Sequence, residues 1–107
     1  MKKYTGKRIN GECIVEVTDH DTHKILPLYI ELMASSPTGF EWGYGGSGPA
    51  QLAFAILMDL FQEQEKAWMY HQDFKWDVIA KLNLQQWEIS EDDIKGYLRK
   101  KYTKGDF

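Results

Sequence analysis

The sequence predicts an α+β fold, with an N-terminal antiparallel sheet of three to four strands packed on three C-terminal helices. Three observations predict it. Asn10-Gly11, the strongest short hairpin signal, joins two runs of strand character, the second alternating apolar and polar side chains. A glycine-rich stretch over residues 43–48 runs straight into an apolar segment of helical length. At Gly48 the patterning changes from period two to a helical period, which puts strands first and helices after. At 107 residues the chain reads as one domain over 1–107, strand-rich over 1–42 and helical over 49–104.

Each element follows in order. Residues 3–9 form the first expected strand, and Asn10-Gly11 suits a type I′ turn, which needs positive φ at both positions. Residues 12–18 are its partner, with Cys13, Val15 and Val17 on one face. Residues 19–22 read as a turn and 23–28 as a third strand, with Pro27 tolerable mainly at an edge or bulge. Residues 29–34 fit either a continued strand or a helical turn, residues 35–39 are a loop, and 40–42 a last short strand. The main helix is expected from Pro49 to about residue 67. Only Gln51 and Asp59 are polar between residues 50 and 61, so the helix should be buried on most sides. An ionised Asp59 there needs a hydrogen-bond donor or an opening to solvent. A second helix is expected over 70–82, with Phe74, Val78, Ile79 and Leu82 as its stripe, followed by a connection over 83–88 that holds a packed Trp87. Ser90-Glu91-Asp92-Asp93 resembles a capping box for a third helix, over 91 to about 102. Acids open that helix, and Arg99, Lys100 and Lys101 close it, complementing its dipole. Lys100, Lys101 and Lys104 form a small basic end that reads as solvated.

The glycine stretch is the main candidate site. Gly43, Gly45, Gly46 and Gly48 fall within six residues, where glycine permits positive φ and close approach of another group. Pro49 suits a first helical position, Gly48 an N-cap, and the Ser47 hydroxyl can serve the first turn. Unpaired N–H groups at the positive end of a helix favour an anion, and Trp42 and Tyr44 flank the glycines as rings to stack on. The expected ligand-binding set is therefore Trp42, Tyr44, Gly45, Gly46, Ser47 and Gly48. No Lys-Ser/Thr follows, so this is not a P-loop. The spacing Gly43-x-Gly45-x-x-Gly48 lies among antiparallel strands rather than in a βαβ unit. The competing reading is a tight strand-to-helix connection in which the glycines only relieve crowding.

Phe40-Glu41-Trp42-Gly43-Tyr44-Gly45-Gly46-Ser47-Gly48-Pro49-Ala50-Gln51-Leu52-Ala53, together with Phe74-Lys75-Trp76-Asp77-Val78-Ile79-Ala80, resembles a family of small bacterial and phage proteins known only as a domain of unknown function. The resemblance is best over the central and C-terminal parts. It implies a prokaryotic or phage origin and a single small domain, and it brings no catalytic residues.

Composition narrows the function class. A hydrophobic content of 43% supports a packed core rather than disorder. Thirteen basic and sixteen acidic side chains give a net charge of −3, which argues against nucleic acid. The single Cys13 excludes an intramolecular disulfide and suits a reducing cytoplasm. Met1-Lys2-Lys3 leads into Tyr-Thr-Gly rather than an apolar run, so no secretory leader is expected. The apolar run over 52–58 is too short to span a membrane.

Other constellations are weaker. Asp19-His20-Asp21-x-His23 holds zinc-ligand types in a turn that favours Asp for backbone reasons, so no metal site is assigned. His71 with Asp73 and Asp77 near a helix start is a weak acid–base candidate, and Cys13 faces the core with no histidine placed beside it. Trp42, Trp68 and Trp76 fit either the core or an aromatic contact surface. Two classes of function result. The first is a small soluble binding or interaction domain that takes an anionic or nucleotide-like ligand, or a partner chain, at the glycine loop. The second is a small hydrolase or transferase using Glu41, Asp59 or His71. A phage-type inhibitor of a host protein is a third reading. The absence of a legible base–nucleophile or metal set favours the binding module, with no catalytic residue and no cofactor.

Overall fold

The computed structural model describes residues 1–102 and 107. Its order is β1 (Lys2–Ile9), β2 (Glu12–Asp19), β3 (Thr22–Ile25), α1 (Ser47–Phe61), α2 (Gln64–Asp77), a 3-10 turn (Ile79–Lys81), β4 (Gln86–Ser90) and α3 (Glu91–Lys101). The four strands form one sheet in the order β3-β2-β1-β4, every neighbouring pair antiparallel. The α+β class and the antiparallel sheet are as the sequence predicts. Among the described residues no helix is long and apolar enough to cross a membrane.

The hairpins follow from local chemistry. Asn10 (φ 52°) and Gly11 (φ 81°) both adopt positive φ, as a type I′ turn requires. The register Gly6↔Val15 and Tyr4↔Val17 puts Tyr4, Val15 and Val17 on the buried face. Cys13 lies on that face, half-buried.

Four expectations are corrected. The fourth strand is Gln86–Ser90, not residues 40–42, and it pairs with β1 (Tyr4↔Ile89, Gly6↔Trp87). The chain therefore returns to the sheet between its second and third helices. Its alternating Trp87 and Ile89 point inward, and Gly6 leaves the space that the Trp87 ring fills. The third strand ends at Ile25, ahead of Pro27, and only one further bond, Leu26 N–H to Val15 C=O, continues the pairing. Tyr29, at φ 56°, then turns the chain rather than extending the strand. The expected helix over 49–67 is two helices, broken at Gln62, which adopts a left-handed conformation (φ 55°). Gln62 closes α1 by donating its N–H to Met58 C=O (2.8 Å) and its side-chain amide to Asp59 C=O (3.0 Å). No Gly or Pro marks that break. The helix expected over 70–82 consequently starts at Gln64 and ends at Asp77. The Ser90 capping box forms, with Ser90 Oγ accepting from Asp93 N–H and Asp93 Oδ2 accepting from Ser90 N–H, each at 3.0 Å. Lys104 lies outside the described residues.

α1 is buried over residues 48–57 and at Asp59. Asp59 accepts from Tyr4 on the sheet, the Phe54 ring meets His71 of α2 edge-on at 6.0 Å, and Gln51 binds the segment over 28–36. Asp59 has no exposed side-chain area. Its Oδ2 accepts from Tyr4 Oη (2.8 Å) and Lys2 Nζ (3.1 Å). Lys24 Nζ stands 3.2 Å from Oδ1 as an ion-pair contact without hydrogen-bond geometry, so Oδ1 carries no hydrogen bond. Burial opposes ionisation of Asp59, but donation from Tyr4 and Lys2 outweighs it and holds the carboxyl below its ordinary value. Burial, then the Asp59 charge, pushes the Tyr4 hydroxyl up.

A carboxyl depressed in the folded state contributes stability above its unfolded pKa, about 3.9, and loses it as pH falls through the folded value. Asp59→Ala should cost about 3 kcal/mol in urea unfolding at neutral pH, because it strands Lys2 and the Tyr4 hydroxyl. The cost should shrink as the pH is lowered below about 4. A cost unchanged between neutral and acid pH would show that ionised Asp59 does not anchor the helix.

Candidate functional site

The glycine loop rests on a tether from the sheet. Arg8 occupies an inward position of β1, in parity with Tyr4 and Gly6. Its guanidinium forms a two-pronged pair with Glu41 (Nη2–Oε1 2.7 Å, Nη1–Oε2 3.1 Å) and donates from Nε to Leu84 C=O (2.8 Å). It also lies 4.9 Å from the Trp42 ring centroid. Arg8 pulls the Glu41 carboxyl below the usual range, and Glu41 raises the Arg8 pKa. Arg8 Nη1 further contacts Cys13 Sγ at 2.9 Å. Burial, helped by Glu41, pushes the Cys13 thiol up to about 11, which removes it as a nucleophile at neutral pH.

Trp42 is fully buried. It donates its indole N–H to Leu84 C=O (3.0 Å) and meets Trp87 edge-on at 5.5 Å. It supports the loop from beneath and offers no open stacking face, contrary to expectation. Gly43 follows at φ 86° and donates its N–H to Ile79 C=O (3.0 Å), which ties the loop to the end of α2. A side chain at Gly43 would strike Leu84, and one at Gly45 would strike the Trp76 ring at 2.1 Å. Leu84 and Trp76 occupy the space that these glycines leave.

Beyond Gly43 the chain is partly or fully exposed as far as Ser47. Among the described residues no acceptor within the chain takes the N–H groups of Tyr44, Gly45, Gly46, Ser47 or Gly48. The helix starts earlier than expected. Gly46 is the N-cap, Ser47 and Gly48 are the first two helical residues, and Pro49, the third, has no N–H to leave unpaired. No side chain caps this end, and no acid sits in the first turn. Gly48 is buried, so its unpaired N–H carries a desolvation cost. Tyr44 is 50% exposed beside Gly46.

A cation shares the ring that covers this loop. Lys75, near the C-terminus of α2, is only 7% exposed. Its ammonium sits 4.4 Å from the Trp76 ring centroid, and the same ring covers Gly45. No carboxylate pairs with Lys75 among the described residues. Lys75 was not among the expected site residues. The sequence signal was a charged residue one helical turn from His71, on the stripe that faces α1.

The other candidates separate. His71 is buried and binds Trp68 C=O through Nδ1 (2.6 Å). Burial, then the Lys75 charge, pushes its pKa down. Asp73 and Asp77 pair with α3 instead, through Tyr102 and through Tyr97 and Lys101. Glu41 and Asp59 are committed to structural partners. His23 binds Glu16 at 2.6 Å, and no group of three metal-ligating side chains converges among the described residues.

Gly45→Ala should unseat Trp76, shift the tryptophan emission and cost about 1–3 kcal/mol in urea unfolding. Unchanged emission and stability would show that the ring does not rest on Gly45.

A family model described as a family of unknown function (DUF6166) matches residues 4–100, which include the sheet, the glycine loop and both α1 and α2. No curated protein and no solved structure matches the chain.

Proposed function

The chain belongs to the DUF6166 family of unknown function, and we propose that it is a small binding module whose glycine loop takes an anionic group of phosphate type. One observation carries the reading: a run of unpaired backbone donors stands at the positive end of α1, and the Trp76 ring that covers Gly45 also lies against a buried lysine that lacks a carboxylate. N–H groups at a helix start attract anions through the dipole and by direct donation. A buried ammonium without a counter-charge is costly, and an anion relieves that cost. Tyr44 and Trp76 flank the same backbone, so a nucleotide-like ligand has rings to stack on. The binding set is Tyr44, Gly45, Gly46, Ser47 and Gly48, joined by Lys75 and supported from below by Trp42. No base–nucleophile pair accompanies it, which favours binding over catalysis. The free thiol of Cys13 suits a cytoplasmic setting.

Titration with inorganic phosphate and with a mononucleotide, followed by amide NMR, tests this. The amides of Gly45 to Gly48 should shift, and the melting temperature should rise with ligand concentration. Lys75→Met should weaken binding about tenfold or more, the value of a charge-assisted contact. Without ligand the same variant should be no less stable, since it removes an unpaired charge. Loop amides unmoved by either probe would sink the reading.

A further inference from the structure

β2 is longer than its neighbour β3. β3 stops at Ile25, and after the single bond from Leu26 N–H to Val15 C=O the chain leaves the sheet. Pro27 has no N–H to continue the ladder, and the Leu28 carbonyl accepts from Gln51 of α1 instead. The first residues of β2 therefore have no strand on their outer side. The two-residue turn makes Ile9↔Glu12 and Lys7↔Ile14 the bonded pairs with β1, so Cys13, between them, turns its N–H and C=O to the open side. The Leu26 bond to Val15 lies on that same side. Among the described residues neither backbone group of Cys13 has a partner there.

A groove follows this edge, with Gly39 and Phe40 on its other wall and Leu26 and Leu28 at one end. The second wall also lacks partners. Among the described residues no hydrogen bond forms at the Gly39 N–H, or at the N–H or C=O of Phe40. Phe40 is only 8% exposed, and buried backbone groups are nearly always paired. Glu12 lines the groove along its length, is exposed, and forms no ion pair among the described residues.

We infer that this groove binds an extended peptide segment of another protein, which adds a strand beside β2 in the place that β3 leaves. Added strands bind through main-chain hydrogen bonds and are selected by alternate side chains. The peptide runs in the direction of β3, and the residue facing Cys13 exchanges N–H and C=O bonds with it. The side chain of that residue points with Cys13 toward the buried side, so it is apolar. The next residue points the other way, beside Glu12, and a basic side chain there supplies the missing counter-charge. The inference is independent of the loop ligand, because it uses no group of residues 44–48.

The probe is a capped peptide, acetyl-Thr-Thr-Val-Val-Lys-Thr-Thr-amide, titrated into the isotope-labelled full chain. The amides of Cys13 and Phe40 should shift and exchange more slowly, while those of residues 45–48 stay in place. N-methylation of the central valine removes the donor to Cys13 and should weaken binding about tenfold or more, whereas N-methylation of the first threonine should not. Glu12→Lys, at an exposed position that leaves the fold intact, should weaken the same peptide. Its affinity should return when the peptide lysine is replaced by glutamate. Cys13 and Phe40 amides unmoved at millimolar peptide overturn the inference. Binding that survives both the central methylation and Glu12→Lys, or that moves the outer edge of β3 instead, places the contact elsewhere and also overturns it.

Discussion

The fold depends on one constraint: α1 is buried at every residue from 48 to 57 and again at Asp59, so each polar side chain on that stretch must find its partner inside the protein. Two side chains meet that demand. Gln51 uses its whole amide, with Oε1 accepting from Ser35 and Ser36 N–H groups and Nε2 donating to Leu28 and Met33 carbonyls. That fixes an irregular segment that has no ladder of its own. Asp59, two turns on, gathers β1 through Tyr4 and Lys2, and β3 through Lys24. A buried polar group left unmatched costs on the order of 1–3 kcal/mol, so these contacts fix the rotation and position of the helix as well as stabilising it.

The glycine loop inherits its shape from this anchored helix. Arg8, Glu41 and Trp42 hold its entry, and the Gly43 bond to Ile79 holds it against the end of α2. The loop is tied down at its base and open above, so its glycines serve the architecture and, in the proposed function, the site as well. Gly43 and Gly45 leave the space that Leu84 and Trp76 fill, and the backbone continues into the unpaired amides of the helix start. The early break at Gln62 matters at a distance. It turns α2 back along α1, which places Lys75 and Trp76 beside the loop.

α2 has two unlike faces. One buries Ala67, His71 and Phe74 against the core. The other keeps Trp68, Met69 and Trp76 in water, an arrangement with an unfavourable solvation cost that burial against a partner would recover. The Trp76 ring touches Gly45 while much of it stays open.

Patterns that are local in the chain were legible in the sequence. The Asn10-Gly11 turn, the alternation of Cys13, Val15 and Val17, the apolar run of α1 and the Ser90 capping box depend on neighbours a few residues apart, and all four appear in the structure. The need of Asp59 for a donor was also legible, because burial of a carboxylate demands one wherever it comes from. Tertiary structure alone decided the rest. No glycine or proline marks Gln62 as a helix end; its left-handed turn is held by its own backbone and side-chain donors on the Met58 and Asp59 carbonyls. β4 reads as a strand only once β1 offers an edge to pair with. The burial of Trp42, the tether from Arg8 and the placing of Lys75 beside the loop join residues more than thirty positions apart, and contacts at that separation leave no periodic trace in the chain.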